Sequence, residues 1–187
     1  MIFICGPHNS GKTTLAKWLG KQGLIHIETG DIVRKTHQKL DPNQDFYDWA
    51  KKVNANDPDF LNRVVLEEID QRFASLTKNK KVVITGNRQM DGIRFIINNT
   101  KYKNKYFCII FLDADEEELF RRQKKRNDER IAKLNRKSFR KYLEYDIKMG
   151  INEIKKHADT VIDTKRISIN AIRKQTIKFL TKHGYTK

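Results

Sequence analysis

The feature that most constrains the fold is a short loop placed between an apolar run and a helix-forming segment. The loop runs from Gly6 to Thr13 and matches the pattern G-x-x-x-x-G-K-[ST] at every fixed position. The apolar run Ile2–Cys5 before it predicts a buried strand, and Lys12–Lys21 after it predicts a helix. A strand, this loop and a helix in that order predict a P-loop domain, in which the sheet is parallel.

The residue types of this loop suit the binding of a nucleoside triphosphate. Glycines let successive backbone N–H groups curve around an anion, and the N-terminus of the following helix adds partial positive charge. Lys12 is expected to reach the β- and γ-phosphates of ATP, and the Thr13 hydroxyl to ligate Mg²⁺. The predicted cofactor-binding residues are Gly6, Pro7, His8, Asn9, Ser10, Gly11, Lys12, Thr13 and Thr14. His8 stands at a variable position of the pattern, so no catalytic role is assigned to it.

Further short apolar runs follow the loop at intervals that leave room for helices. They predict strands at Ile25–Glu28, at Val82–Thr85, and at residues 107–112 and 160–162. Because most of these runs lack a polar face, the strands are expected to be buried on both sides, as in a parallel sheet. Helices are predicted at residues 58–76, 114–133, 138–156 and 168–182. The alternation predicts a single α/β domain over residues 1–187, with three layers and a five-stranded sheet.

Composition argues against several other classes of protein. With 187 residues, 38% of them hydrophobic, the chain is long enough and apolar enough to bury a core. No apolar run approaches the roughly 20 residues that span a bilayer, and no basic region precedes the first apolar run, so the cytosol is the expected compartment. Cys5 and Cys108 lie inside predicted strands, and we expect both to be buried free thiols.

The formal net charge of +16 predicts affinity for anions, and it leaves the kind of anion open. Nucleotide phosphates and a nucleic-acid backbone both fit, and a lysine-rich surface can also be solvated without a partner. The aromatic residues Phe46, Tyr47 and Trp49 suit base stacking, but they also suit the packing of a short helix or the wall of an acceptor pocket. A nucleic-acid-associated ATPase or nucleotide-binding regulator is therefore the less favoured alternative, since no dedicated nucleic-acid motif is present.

Charged residues follow the second and third predicted strands, at the edge of the sheet where the P-loop lies. Asp31 and Arg34 stand one helical turn apart after the second strand. A carboxylate at this edge can orient an acceptor or take its proton, and an arginine can bind an acceptor phosphate through two hydrogen bonds. Arg88 follows the third strand and is expected at the same rim. A helix cap with a local ion pair is the alternative interpretation of Asp31 and Arg34.

Residues 121–141 are rich in Arg and Lys and poor in apolar side chains, which predicts an exposed, mobile lid. Arg122 and Arg126 share one face of the helix that enters this segment. Guanidinium groups on a closing lid stabilise the charge of a phosphoryl group during transfer, although surface solvation is the alternative for each arginine. The predicted catalytic residues are Lys12, Asp31, Arg88, Arg122 and Arg126.

In these motifs and their order the chain resembles P-loop proteins of the nucleoside-monophosphate-kinase type. The closer resemblance is to the archaeal-type group related to adenylate kinase and dephospho-CoA kinase. The shared elements are the P-loop, Gly30-Asp31-x-x-Arg34, Gly86-x-Arg88, Arg122-x-x-x-Arg126 and a late segment from Gly150 to Ile162. The resemblance extends from Ile2 to about Leu180. It implies the strand order 2-3-1-4-5, a helical acceptor-binding insertion at residues 40–73 and a lid at 121–141.

The resemblance implies an ATP- and Mg²⁺-dependent kinase acting on a small nucleotide-like acceptor, in the first place a nucleoside or deoxynucleoside monophosphate. Asp31, Arg34 and Arg88 then belong to the acceptor site. Arg88 then binds either the acceptor phosphate or the transferred phosphate, and Arg122 and Arg126 serve the lid. Dephospho-CoA is the alternative acceptor, with Asp31 as the base for its hydroxyl. The sequence does not indicate an oligomeric state.

One position departs from the pattern of this group. Relatives commonly carry Asp directly before the glycine of the third-strand motif, where it helps to hold Mg²⁺ through water. This chain has Thr85 there. Asp31 and Asp113 are the two candidates for supplying the missing carboxylate, although Asp113 and Asp115 are equally suited to cap the helix that follows them.

Overall fold

A computed structural model of the chain describes residues 1–74, 81–101, 106–126 and 135–185. The sheet has five strands, which are β1 (Ile2–Cys5), β2 (Ile25–Glu28), β3 (Val82–Thr85), β4 (Cys108–Asp113) and β5 (Thr160–Asp163). Neighbouring strands run parallel in the order β2-β3-β1-β4-β5. The predicted fold class and strand order are confirmed. All strands therefore end at one edge, where the P-loop and the rim residues meet.

Helices cover both faces of this sheet. They are α1 (Lys12–Lys21), α2 (Thr29–Leu40), α3 (Phe46–Asn56), α4 (Phe60–Ala74), α5 (Met90–Asn99), α6 (Glu116–Lys124), α7 (Arg136–Met149), α8 (Ile151–Lys156) and α9 (Ile169–Lys182). Alternate residues of β1 face the two layers. Phe3 packs with apolar residues of α2, α4, α5 and α8 on one side, and Ile4 packs with those of α1 and α9 on the other.

The apolar runs form strands because their side chains are fully enclosed by these layers. Every residue of β1 and β3 is buried, which accounts for the absence of a polar face in their sequences. Removing each such side chain from water contributes roughly 1.5–3 kcal/mol. At the edge of the sheet β5 buries Ile162 alone, while Val161 stays exposed. The core therefore lies under the three central strands that position the P-loop.

Two predicted helices have different limits because of their local chemistry. Residues 138–156 form two helices, since Gly150 adopts a left-handed conformation (φ 100°) that ends α7 and begins α8. The first of them is capped by Asn135, whose Oδ1 accepts a hydrogen bond from the backbone N–H of Ser138 at 2.8 Å. The prediction of a single helix over residues 138–156 was therefore wrong, and the first of the two helices begins at Arg136.

The other predicted helices agree with the structure in position and differ at their ends. Helix 58–76 begins at Phe60, because Asp57 caps a short turn by accepting from the N–H of Asp59 at 3.2 Å. Helix 114–133 is capped by Asp115 and ends at Lys124, and its residues 127–133 lie outside the described chain. Helix 168–182 is confirmed, with Ser168 as its cap.

The two cysteines are buried free thiols, as predicted. Burial raises the pKa of Cys5 and of Cys108 to about 12, so both stay protonated and serve as small apolar side chains of the core. Among the described residues, no helix combines the length and the apolar character that crossing a bilayer requires.

Candidate functional site

The P-loop lies at the carboxyl edge of the sheet and leaves the start of α1 open. Gly6 and Gly11 both have positive φ (141° and 100°), and a Cβ on Gly6 would collide with the carbonyl oxygen of Leu112. Gly11 occupies the N-cap of α1 and has no side chain with which to cap it. The first N–H groups of α1 therefore suit an anion, and the positive end of the helix dipole favours one.

The side chain of Lys12 is held inside the P-loop by a backbone carbonyl group of the same loop. Its Nζ donates a hydrogen bond to the carbonyl oxygen of Pro7 at 2.7 Å. Burial lowers the pKa of Lys12 to about 8, with Asp146 opposing this effect and Arg88 reinforcing it. A phosphate group beside the ammonium would stabilise its charged form and raise the pKa again. The geometry therefore supports the predicted contact of Lys12 with a bound triphosphate.

Hydroxyl and carboxylate oxygens stand together beside Lys12, at the ends of β2 and β3. The exposed Thr13 hydroxyl donates to Oε2 of Glu28 at 3.2 Å, and the Thr85 hydroxyl donates to the same oxygen at 2.7 Å. His26 Nε2 lies 2.7 Å from the Thr85 hydroxyl oxygen. Such hard oxygen ligands fit Mg²⁺, which binds one or two carboxylates together with substrate phosphates.

The two carboxylates that the sequence offered for the metal have other partners. Asp113 Oδ2 accepts from Lys155 Nζ at 2.6 Å, and Asp31 Oδ1 accepts from Arg34 Nη2 at 2.6 Å. Glu28 was not singled out from the sequence. The available signal was its position, because it is the last residue of a parallel strand and therefore points to the ligand edge. Within the described chain, no three His, Cys, Asp or Glu side chains form a preassembled metal cluster.

Asp31 and Arg34 form the local ion pair that the sequence left as an alternative. Their side chains are 64% and 56% exposed, so the pair contributes little to stability. The guanidinium group of Arg34 lies over Gly30, where a Cβ would come within 3.3 Å of both Nη atoms. Arg34 lines the central cavity described below, whereas Asp31 is not part of its wall. Their roles in an acceptor site stay predictions.

Arg88 is fixed by a buried carboxylate that sequence reasoning missed. Asp146 of α7 has a side chain that is only 2% exposed. Its Oδ2 accepts from the backbone N–H of His8 at 2.9 Å and from His8 Nδ1–H at 2.8 Å. Its Oδ1 lies 3.2 Å from Nε of Arg88. Asp146 therefore joins α7, the P-loop and the end of β3, and we call His8, Arg88 and Asp146 the rim network.

Hydrogen-bond chemistry fixes the protonation state of this network. Arg88 Nη2 lies 2.9 Å from His8 Nε2, and because arginine can only donate, this nitrogen must accept. His8 is therefore neutral, with its proton on Nδ1. Burial lowers the pKa of His8, and Arg88 and Lys12 lower it further against the opposing effect of Asp146. Although burial works against it, contacts with His8 and Arg88 hold the pKa of Asp146 below its usual range.

Arg122 of α6 and Arg126, which follows the end of α6, contact the P-loop from the opposite side. Arg122 donates to the carbonyl oxygens of Asn9, Ser10 and Thr164, at 3.3, 3.2 and 2.6 Å. Its Nε donates to Glu118 at 2.8 Å, and Arg126 Nη1 donates to Oδ1 of Asn9 at 3.0 Å. Arg122 is thus a fixed connection between α6, the P-loop and the end of β5. The catalytic roles of both arginines stay predictions.

The segments predicted as insertion and lid lie on either side of the rim. Residues 40–73 contain α3 and most of α4, and the ring of Tyr47 from α3 meets that of Tyr145 from α7 edge-on, with centroids 5.6 Å apart. Residues 121–141 include the end of α6 and the start of α7, and 127–134 lie outside the described chain. Their functions as acceptor-binding insertion and lid stay predictions.

One cavity of about 1310 Å³ connects these groups. The end at the P-loop is lined by Lys12, Thr13, Ile167, Ile169 and Arg173, and the end at the rim by Arg34, Phe46, Tyr47, Asn62, Asn87 and Arg88. The volume exceeds the roughly 300–1,000 Å³ of a typical single-ligand pocket. Trp49 is buried behind this wall, with its ring centroid 5.0 Å from that of His37.

Comparisons with known proteins agree with this architecture. The model of the AAA_18 family, described as an AAA domain, matches residues 2–143. UPF0200 proteins of Saccharolobus islandicus (strain L.S.2.15 / Lassen #1) and Saccharolobus solfataricus are each 27% identical over 167 residues, which are 87% of this chain and 82% of theirs.

Two solved structures show the same fold over nearly the full length. TT1252 from Thermus thermophilus has a TM-score of 0.67 at 17% identity, covering 97% of this chain and 96% of that one. The shikimate kinase of Acinetobacter baumannii has a TM-score of 0.61 at 16% identity, covering 99% and 94%. At these identities the likeness is one of fold. The fold is therefore a P-loop fold of the kinase-like kind.

Proposed function

This chain belongs to the AAA_18 family of AAA domains, and from that premise we propose that it is an ATP-dependent phosphotransferase with a small nucleotide-like acceptor. The observation that carries the proposal is the continuous cavity between the P-loop and the rim. Lys12 and Thr13 line one end of it, which we call the donor end, and Arg34 and Arg88 line the other, which we call the acceptor end. A triphosphate and a second anionic ligand held in one cavity are the two substrates of phosphoryl transfer.

The acceptor end favours a nucleoside or deoxynucleoside monophosphate. Arg34 and Arg88 supply guanidinium groups for its phosphate. The amide groups of Asn62 and Asn87 and the ring of Tyr47 form the rest of this wall, which suits the edge and face of a base. Oδ1 of Asn87 is buried and has no hydrogen-bond partner among the described residues.

Dephospho-CoA-type transfer to a hydroxyl is less well supported by the same geometry. Such a reaction benefits from a general base, and Asp31 lies outside the cavity wall with its carboxylate bound to Arg34. A monophosphate oxygen is already anionic and needs no base. The nucleic-acid alternative also loses support, because Trp49 is buried and the rings of Phe46 and Tyr47 form the wall of the cavity.

In the proposed reaction the bond between the γ-phosphorus and its bridging oxygen breaks, and a bond from an acceptor phosphate oxygen to that phosphorus forms. ATP and a monophosphate thereby give ADP and a diphosphate. Lys12 stabilises the charge on the β- and γ-oxygens, and Arg88 orients the acceptor phosphate. Thr13 and Glu28 are the residues that would hold Mg²⁺, which neutralises charge on the same oxygens when bound.

The test is to incubate the chain with Mg²⁺ and ATP and to quantify ADP and phosphorylated product by chromatography. Separate reactions contain each common ribo- and deoxyribonucleoside monophosphate, dephospho-CoA, short RNA or no acceptor, with Lys12→Ala as the control variant. We expect one monophosphate to be converted in a one-to-one ratio with ADP, and no conversion by the variant. Equal ADP formation in every reaction, or formation with RNA alone, would contradict the proposal.

A further inference from the structure

Glu28 and Thr85 are paired residues at the ends of adjacent strands. In the parallel register of β2 and β3, Glu28 stands directly opposite Thr85. Adjacent strands are about 4.8 Å apart, a gap that the long side chain of glutamate can cross. Oε2 of Glu28 accordingly lies only 2.7 Å from the Thr85 hydroxyl oxygen. A carboxylate from β2 thus reaches the place where the related group carries aspartate on β3.

We propose that Glu28 supplies the carboxylate of the magnesium site, in place of the aspartate that Thr85 replaces. This inference rests on the proposed binding of ATP at the P-loop. The same oxygen that meets Thr85 accepts from the hydroxyl of Thr13 at 3.2 Å, and Thr13 is the predicted metal ligand of the P-loop. The two metal-binding groups are therefore already in contact before a metal arrives.

The surroundings of Glu28 hold its carboxylate in this position. Gly86 has a φ of 101°, and a Cβ on it would collide with Oε1 of Glu28 and with the Thr29 hydroxyl. The close approach thus requires glycine directly after Thr85. His26, on the same strand as Glu28, places Nε2 2.7 Å from the Thr85 hydroxyl oxygen. The Thr85 hydroxyl donates its single proton to Glu28, so Nε2–H of His26 donates to the hydroxyl oxygen. This second hydrogen bond fixes the direction in which the hydroxyl points.

The positive charges at the P-loop also favour a carboxylate at the position of Glu28. Lys12 is a nearby cation, and Glu28 is one of the groups that raise the pKa of Lys12 against the effect of burial. Mg²⁺ brought near this cation is stabilised by an anion in contact with it. Asp31 and Asp113 are each neutralised by a basic partner, Arg34 and Lys155.

The first experiment measures binding and does not depend on turnover. Calorimetric titration gives the affinity for ATP with Mg²⁺ and with excess chelator, and electron paramagnetic resonance measures Mn²⁺ binding in the presence of ADP. For Glu28→Gln we expect the gain in ATP affinity that Mg²⁺ provides to fall at least tenfold, and Mn²⁺ binding to weaken in parallel. Metal-free ATP affinity should stay the same or rise, because the variant removes a negative charge near the phosphates.

Three further variants decide whether the position of the carboxylate is what matters. Asp31→Asn and Asp113→Asn remove the other two candidate carboxylates and should leave the Mg²⁺ effect unchanged. The double variant Glu28→Gln with Thr85→Asp returns the carboxylate to β3 and should recover most of the lost effect. Recovery also shows that the glutamine at position 28 does not prevent folding.

The possible results separate this inference from the proposed function. If Glu28→Gln keeps the full Mg²⁺ effect, or if Asp31→Asn or Asp113→Asn loses it, the inference is wrong while ATP binding stands. Failure of the double variant to recover the effect, with folding confirmed by circular dichroism, also overturns it. If the unmodified chain binds no ATP with or without Mg²⁺, the proposed function itself fails.

Discussion

The two ends of the cavity are built in different ways. The phosphate-binding part of the donor end consists of consecutive residues from the end of β1 to the first turn of α1, and its shape comes from backbone conformation at Gly6 and Gly11. The acceptor end draws on α2, α3, α4, β3 and α7, and contacts between side chains distant in sequence hold it together. A site made of backbone tolerates most side-chain changes, whereas a site made of long-range contacts loses its geometry when one of them is removed.

Lys12→Ala should have the largest effect, because Lys12 is the charged side chain of the P-loop that we expect to contact the β- and γ-phosphates. We expect the phosphoryl transfer rate to fall about 10²–10³-fold, the size of effect seen when one preorganised donor to transition-state charge is removed. Initial rates of ADP formation measure it. Lys21→Ala, on the exposed last turn of the same helix, is the matched control and should keep its activity. Equal losses in both variants would show that general charge matters and loop geometry does not.

Asp146→Asn tests whether the rim network positions Arg88. The neutral side chain keeps the volume of Asp146 and weakens its contacts to Arg88 and His8, and hydrogen bonds to charged groups contribute about 1.5–3 kcal/mol. We expect the KM of the acceptor to rise ten- to a hundredfold while the KM of ATP changes less than threefold. Glu144→Gln, an exposed position of the same helix, is the control. A rise in both KM values would instead assign Asp146 to the donor end.

Arg34→Ala separates acceptor binding from stability. Because the Asp31–Arg34 pair is exposed, its loss should change the free energy of unfolding by less than about 0.5 kcal/mol. The KM of the acceptor should nevertheless rise about tenfold, the effect of a lost interaction of about 1.4 kcal/mol. Arg94→Ala is a close match, since Arg94 forms an exposed pair with Asp91 at the same spacing but lies outside the cavity. Equal kinetics in the two variants would remove Arg34 from the acceptor site.

The smallest effect concerns pH at the donor end. The pKa of Lys12 is about 8 in the free protein, and bound phosphates raise it. ATP affinity should therefore be constant below pH 8 and decline above it by at most tenfold per pH unit, as the free protein loses the proton. Calorimetry at pH 8 in two buffers with different ionisation heats should detect proton uptake on binding. In Lys12→Arg, which stays charged, both the decline and the uptake should be absent.

The contrast between the two ends also explains which features the sequence could predict. Parallel strands are continuous apolar runs and the P-loop is a continuous motif, so local patterns were sufficient for the fold and for the position of the P-loop in it. Asp146 lies 138 residues from His8, and in the charged sequence of α7 no local pattern separates it from Glu144. The rim network could not be predicted, because only the fold brings its members together.

The position of Glu28 at the end of a predicted strand was its one sequence signal, whereas a short motif favoured Asp31. Asp31 matches a short motif, whereas Glu28 matches none and shows its role only through its register with Thr85. The break between α7 and α8 was missed for a similar reason. A glycine within a helical pattern lowers helix stability by about 1 kcal/mol relative to alanine and is often tolerated. The presence of Gly150 in the sequence therefore did not predict its left-handed conformation.

Gly150 is the junction between α7 and α8, so any tilt of α7 relative to α8 turns about this residue. Isoleucines of α8 are buried in the core directly after this glycine, so the pivot is anchored, while the 14-residue α7 extends about 21 Å from it. A tilt of about 10° at the pivot would move the far end of α7 by roughly 4 Å, and Asp146, one turn from the pivot, by only about 1 Å. The far end, which is part of the predicted lid, would thus move about four times as far as the carboxylate that contacts the P-loop.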